Sequence, residues 1–490
     1  MTKPASSKGT TCSRLRKKPE RLTGARLDTA EIPSPASGGL PMPQRLWAIG
    51  AISFGTALLV LDNAIATVAL PTIAAALAVP PSAAVTVVTI YQIVLLMALL
   101  PFSALGDRIG HRRLYQAGQI TFIAASLLCF FAVDLTMLLV ARAAQAVGVA
   151  AVLAVSAALL RRIYPSASLG RGLGLNSIII GSAAALAPTI GGLILAVGSW
   201  RWVFLAAAPF ALLSLAVGRF LPNPPPTRHD YDLLGAVLCA AMFGALIGAL
   251  ELQVHGAAFA LAGPLAAVGA GAAWMFVRRE LQRPAPILPL DLLAKPAFLL
   301  ATASALLSFV ASLTFTLSLP FRLQAAYDLA PAQIGAVMAA WPLSMMVVAP
   351  FAGFLSDRAP KGLLGGLGMV LCCVAFLLMA RLPPDFPGYA LLVAPLVVGG
   401  VGSGLFLAPN AHLILSSAPP SRTASAGAMI SATRLVGSAL GATLFAALLS
   451  QGFGHGSAPA LASAGGAFLA AVCSFANLKP PHLTQAAGRR

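Results

Sequence analysis

An all-α, polytopic membrane fold follows from three features of the sequence: its apolarity, the spacing of its breaks, and an internal repeat. Hydrophobic residues make up 58% of the 490 and charged residues 9%, with a mean hydropathy of +0.87. A soluble domain carries about 25% charged residues, so this chain cannot cover itself with polar surface and lipid must be its solvent. Apolar runs of about 20 residues, the length that crosses a bilayer, recur fourteen times between breaks at Pro, Gly and charge clusters. The pattern Pro101-Phe102…Gly106-Asp107-Arg108 at the end of the second run returns as Pro350-Phe351…Asp357-Arg358 at the end of the tenth. Two pseudo-symmetric six-helix bundles with an inserted two-helix pair are therefore expected, with a ligand site where the halves meet.

Taken in order, residues 1–45 are polar, basic and rich in Pro, Ser and Gly, and read as a disordered tail. Met42, just ahead of the first run, is an alternative start to Met1. A first bundle over 46–221 holds predicted spans at 46–70, 83–105, 114–133, 135–160, 172–197 and 202–220. The segment 222–296 carries the inserted pair, 233–253 and 257–277, between the polar stretches Pro222…Asp232 and Arg278…Pro286. A second bundle over 297–476 holds spans at 297–320, 331–355, 362–381, 388–412, 423–450 and 458–476, and 477–490 is a second tail.

The net charge of +18 would suggest a nucleic-acid partner in a soluble protein. Here it reports topology. All but five of the 32 Lys and Arg fall in the tails or in loops on one face. Arg201, Arg322 and Arg381 are assigned to the opposite loops, and Arg142 and Arg434 lie inside spans. That asymmetry puts both termini in the cytoplasm. Most of the six Cys lie in apolar runs with no CxxC pair, and read as small buried hydrophobes. The scattered His form no metal cluster. No phosphate-binding Gly-rich loop and no GxSxG elbow occurs, which disfavours ATP drive and intramembrane hydrolysis. No cofactor is expected, and a monomer is.

Asp62 is the acid that sits well inside a hydrophobic run, and a carboxylate in a bilayer is rarely kept without a use. At about 1.5 Å per residue, Asp62 lies ~12 Å below the outer end of span one, and Arg142 ~10 Å below the outer end of span four. An ion pair between them would lower the cost of both charges. It could be a fixed structural pair or a breakable one that exchanges a proton for a ligand. Glu251, near the outer end of span seven, reads as an interfacial residue that snorkels, with proton uptake as its functional alternative. Arg434 lies ~16 Å into span thirteen, flanked by Gly427, Gly437 and Gly441 that permit tight packing. Two deep arginines against one deep acid leave a positive excess, which suits an anionic substrate better than a dication.

The loop Gly106-Asp107-Arg108-Ile109-Gly110-His111-Arg112-Arg113 resembles the signature between helices two and three of the major facilitator superfamily. Arg142-Ala-Ala-Gln145-Ala-Val-Gly148 resembles that family's intramembrane arginine motif, with Ala146 in place of a usual glycine. Gly174 and then Pro188-Thr189-Ile190-Gly191-Gly192 look like the bend motif of its antiporter branch, with Ala183 and Ala187 for two glycines. Leu61-Asp62-Asn63 through Pro71 is similar to the first-helix motif of the fourteen-helix drug:proton antiporters. Trp200-Arg201-Trp202 looks like the family's fifth-to-sixth helix connection. The resemblance implies proton-coupled multidrug efflux from a bacterial inner membrane, driven by the proton gradient. It also implies that Asp107, Arg108, Arg112, Arg113, Asp357 and Arg358 gate the cytoplasmic side. Rival expectations are a dedicated exporter of one metabolite or antibiotic, and uptake of an organic anion.

Overall fold

The computed structural model describes residues 40–164, 169–223, 232–256, 258–282, 290–356, 358–419 and 422–478. Both tails as far as residue 39 and from 479, and Asp357, lie outside the described residues. Among those described, the chain is helical with no strand. The first bundle comprises α1 (Gln44–Ala76), α2 (Pro81–Ile109), α3 (His111–Phe130), α4 (Leu135–Ile163), α5 (Leu169–Val197), α6 (Arg201–Leu205) and α7 (Ala208–Val217). The inserted pair is α8 (Leu233–Val254) and α9 (Phe259–Leu281). The second bundle comprises α10 (Pro296–Tyr327), α11 (Pro331–Met338), α12 (Ala340–Ser356), α13 (Lys361–Ala380), α14 (Tyr389–Ser417), α15 (Thr423–Ser450) and α16 (Ala458–Ala476).

Thirteen helical segments among the described residues are long and apolar enough to cross a membrane. Predicted spans six and ten each count once there, although each is broken into two helices (α6 with α7, α11 with α12). The third predicted span, α3, is not among the thirteen. Its sequence opens His111-Arg112-Arg113 and carries Gln116 and Gln119, which lower its hydropathy. It nonetheless packs along α4 as a full helix.

Prolines misled the span boundaries. Span one was placed to end before Pro71 and span nine at Pro320, but α1 continues to Ala76 and α10 to Tyr327. A helical proline removes one hydrogen bond, and packed neighbours make that tolerable in an apolar bundle. Arg322, assigned to a loop, therefore lies inside α10 and is buried.

The repeat is visible in the packing. In the first bundle α1 lies against α5 and α7, and α4 against α2 and α3; in the second, α10 lies against α15 and α16, and α14 against α12 and α13. Paired glycines mark one of these crossings in each half. A Cβ on Gly118 would sit 2.6 Å from the Gly148 carbonyl, and one on Gly148 2.7 Å from the Gly118 carbonyl. Gly368 and Gly402 repeat the relation at 2.5 Å each way. Only small residues let two backbones approach that closely.

The halves meet along α2 on α15, along α5 on α11 and α12, and along α1 on α10. The inserted α8 packs on both α2 and α15, so it straddles one seam. Its own hairpin is closed by Asp232, which caps Gly235 N–H at 3.0 Å and takes a hydrogen bond from Arg279 at 2.9 Å. Near Pro71 the halves share one core, in which Leu70 and Ile73 belong to the same cluster as Leu317, Phe321 and Phe445. Toward Gly110 each half has a separate cluster, one around Tyr115 and Leu159, the other around Phe298 and Ile414. At that end Gly50, Gly353 and Gly427 face open space. The bundle is sealed at one end and parted at the other.

Candidate functional site

A cavity of about 420 Å³ lies between the halves, lined from α1 by Thr56 and Asn63, from α2 by Tyr91 and Gln92, and from α15 by Arg434 and Ser438. Aliphatic side chains and Phe309 fill the rest of its wall. Such a cavity suits a drug-sized, largely apolar ligand oriented by a few polar groups.

Behind Tyr91 lies the charge pair. α1 and α4 run through the same layer, and Arg142 Nη1 donates to Asp62 Oδ2 at 2.7 Å. The same nitrogen donates to Gln145 Oε1 at 2.7 Å, and Gln145 in turn donates to Ser126 Oγ at 2.8 Å. The guanidinium stacks 4.2 Å from the Tyr91 ring centroid and 5.3 Å from that of Phe204. Arg142 is 0% exposed and Asp62 1%. Yet Asp62 Oδ1, Arg142 Nη2 and the Tyr91 hydroxyl make no well-formed hydrogen bond among the described residues, although the Tyr91 hydroxyl faces the Asp62 carboxyl. Unpaired polar atoms at such depth are costly, so the cluster is held together with free bonding capacity in place. Asp62 and Arg142 were legible as partners from depth alone. Tyr91 was not, because an aromatic in an apolar span carries no signal of what it stacks on.

Arg434 shares the cavity but not the pair. Its guanidinium makes no hydrogen bond, ion pair or ring contact among the described residues, and it is exposed to the cavity. The flanking glycines do the packing: Gly437 meets Phe309 and Gly441 the Val310 carbonyl of α10. Gly427 instead faces open space.

Glu251 corrects the sequence reading. It does not snorkel; it is 8% exposed and accepts a hydrogen bond of 2.5 Å from Thr443 of α15. The helix bearing it packs on a seam rather than outside the bundles, which hydropathy cannot reveal.

In the loop between α2 and α3, Gly110 has φ +99 and makes the tight turn, while Gly106 is buried where a Cβ would meet Val155 of α4 at 2.6 Å. Asp107 lies 3.1 Å from His111. Arg108 and Arg113 are exposed and Arg112 half-buried, with no ion pair among the described residues. In the second half Arg358 lies over the Phe354 ring at 3.8 Å. In α5, the carbonyl of Pro188 is in contact range of a Cβ on Gly335, a Cβ on Gly192 would sit 2.5 Å from the Pro331 carbonyl, and Gly191 abuts Ile65. The motif thus makes a close crossing of α5 with α11 and α1. Gly174 lies on α5, with no side chain to place. Arg201 clamps the turn before α6, donating to the Ala132 carbonyl at 3.0 and 3.2 Å. No group of His, Cys, Asp and Glu among the described residues could hold a metal.

The chain is similar to the uncharacterized transporter YebQ of Escherichia coli K12, 40% identical over 90% of this chain and 97% of that one. It is 28% identical to the riboflavin transporter RibZ of Clostridioides difficile, covering 89% of this chain and 97% of that one. It is also 28% identical to the multidrug efflux pump LfrA of Mycolicibacterium smegmatis, covering 81% and 80%. Among solved structures, a peptide-transporting POT family member in complex with a thioalcohol-conjugated peptide superposes with a TM-score of 0.68 at 14% identity, over 87% of this chain and 94% of that one. The sequence profile of the Major Facilitator Superfamily matches residues 52–382 and 300–490. Two bundles in repeat, a cavity between them and a sequence match along nearly the whole length place this chain in the major facilitator superfamily, as a transporter and not an enzyme.

Proposed function

We propose that the protein exports small amphiphilic compounds from the cytoplasm of a bacterium in exchange for protons, by alternating access of the central cavity. The two halves, 46–221 and 297–476, would rock about the seams, with 222–296 as an insertion. Positive-inside charge supports both termini in the cytoplasm of an inner-membrane protein, which makes the parted end the cytoplasmic one. The proton gradient supplies the energy, and a single chain holds the whole cavity.

The observation that carries this reading is the Asp62–Arg142 pair with its unpaired Oδ1, one aromatic ring away from the cavity. A proton on Oδ1 removes the charge that holds Arg142, so the cluster has two charge states and can bias two conformations. Arg142 and Gln145 set the geometry, and Tyr91 is the wall through which the change reaches a ligand. Gly106 through Arg113, with Asp357 and Arg358, would control the cytoplasmic opening. The multidrug pump among the relatives supports export.

In everted membrane vesicles, addition of a transported compound should collapse an imposed pH gradient, and Asp62→Asn should abolish that while leaving the protein folded. Wild-type exchange by this variant would sink the proposal. A second reading, coupled uptake of an organic anion, is favoured by the unpartnered Arg434. Protonating Asp62 would then raise the positive charge near the anion, so proton and anion would bind together. The same vesicles separate the two, because uptake moves protons and substrate in one direction.

A further inference from the structure

Glu251, on α8 of the inserted pair, has no part in the central site, and its surroundings are built. Glu251 Oε1 accepts from Thr443 of α15, while Oε2 is buried without a hydrogen-bond partner. His255 Nδ1 lies 2.9 Å from the Glu251 main-chain carbonyl and 3.6 Å from that Oε2, and Nε2 lies 3.4 Å from both Thr86 Oγ1 and the Ser82 carbonyl of α2. Three helices therefore meet at this pair: α8 and the residue that ends it supply the two titratable groups, α15 one hydroxyl, and α2 a hydroxyl and a carbonyl. Thr89 of α2 also faces the carboxyl. No other titratable or charged group from α2, α8 or α15 faces Glu251 among the described residues. A second cavity of about 670 Å³, lined by Ser82, Gln253, His255, Ser450 and Gln451, reaches the histidine from the sealed end. Under the proposed topology this cavity opens to the outside.

We propose that Glu251 and His255 form a second proton-binding site, loaded from the outer face, whose proton holds the α2–α15 seam closed. With one proton shared between them the pair is neutral, either as carboxylate and imidazolium or as carboxylic acid and imidazole. Without it, a bare carboxylate stays buried beside hydroxyl groups and a neutral imidazole, a costly state in an apolar seam. Opening the outer side would let water reach that carboxylate, so loss of the proton favours opening and gain of the proton favours closure. The inserted helix then works as a strap that reads outer pH, because it packs on both α2 and α15.

Ala446 is 0% exposed in the shared core beside this seam, so Ala446→Cys reports its opening to a membrane-impermeant maleimide in intact cells. The probe is outer pH, stepped from alkaline to acid. Labelling should fall several-fold toward the acid end in the otherwise unaltered chain. Glu251→Gln, which can never become a buried carboxylate, should give low labelling throughout. His255→Gln guards against misfolding of the first variant and should change the pH dependence of labelling. Labelling that responds to substrate but not to outer pH, or a Glu251→Gln profile matching its parent, overturns the inference and leaves alternating access standing. Labelling that responds to neither sinks both.

Discussion

The two bundles are alike in packing and unlike in chemistry. Gly118 against Gly148 and Gly368 against Gly402 set the same close crossing twice. The residue that stands to Gly402 as Arg142 stands to Gly148 is Leu396, which is wholly buried. The first half thus spends that position on a cation paired with Asp62, and the second on apolar packing. The charge the second half does bring to the centre, Arg434, comes from α15 and has no partner among the described residues. A repeat keeps the steric frame, because every crossing must close, and leaves the charges free to differ.

The largest break in this comparison is Arg142→Gln. It leaves Asp62 buried and unpaired, which costs about 3–5 kcal/mol, so detergent-solubilised protein should melt well below wild type. Adding Asp62→Asn to it should recover much of the loss. Next come Gly148→Val and Gly402→Val, each forcing a side chain against the partner helix at a cost of about 1–3 kcal/mol. The two should lower the melting temperature alike, since the crossing is the same in both halves; a large inequality would show that the repeat is not mechanical. Arg434→Gln should leave stability within about 0.5 kcal/mol of wild type, as a surface change does. If carboxylate-bearing substrates are carried, it should weaken their half-saturation by roughly tenfold, the worth of about 1.4 kcal/mol, and spare neutral ones.

The smallest effect belongs to Asp291 and Arg422 at the parted end, an exposed pair bonded at 2.5 and 3.0 Å. The hydrogen bond from Arg422 holds the Asp291 carboxyl below its ordinary value. Its contribution is therefore complete above the ordinary carboxylate range and lost as pH falls through the lowered value. Exposure keeps it under about 1 kcal/mol, so Asp291→Asn should shift a neutral-pH melt only slightly and an acid melt not at all.

Much of the molecule follows from residue order alone. A chain with so few charges has no fold in water, and backbone groups in lipid must be satisfied within helices, so the all-α class and the approximate spans were settled by composition and breaks. The repeat of Pro-Phe…Asp-Arg and the depths of Asp62 and Arg142 were also legible, since a helix converts residue count into height. What height cannot supply is direction around the helix axis and the identity of the neighbour. Only the tertiary structure decided that Tyr91 stands between the ion pair and the cavity, that Arg434 faces open space, and that Glu251 is buried against Thr443 instead of reaching for the interface. Each depends on which helix packs where, and in an apolar bundle almost every face of a span is equally greasy. Helix ends at Pro71 and Pro320 were lost for a related reason. A missing hydrogen bond is a local penalty, and whether the helix continues is set by the neighbours that pack around it.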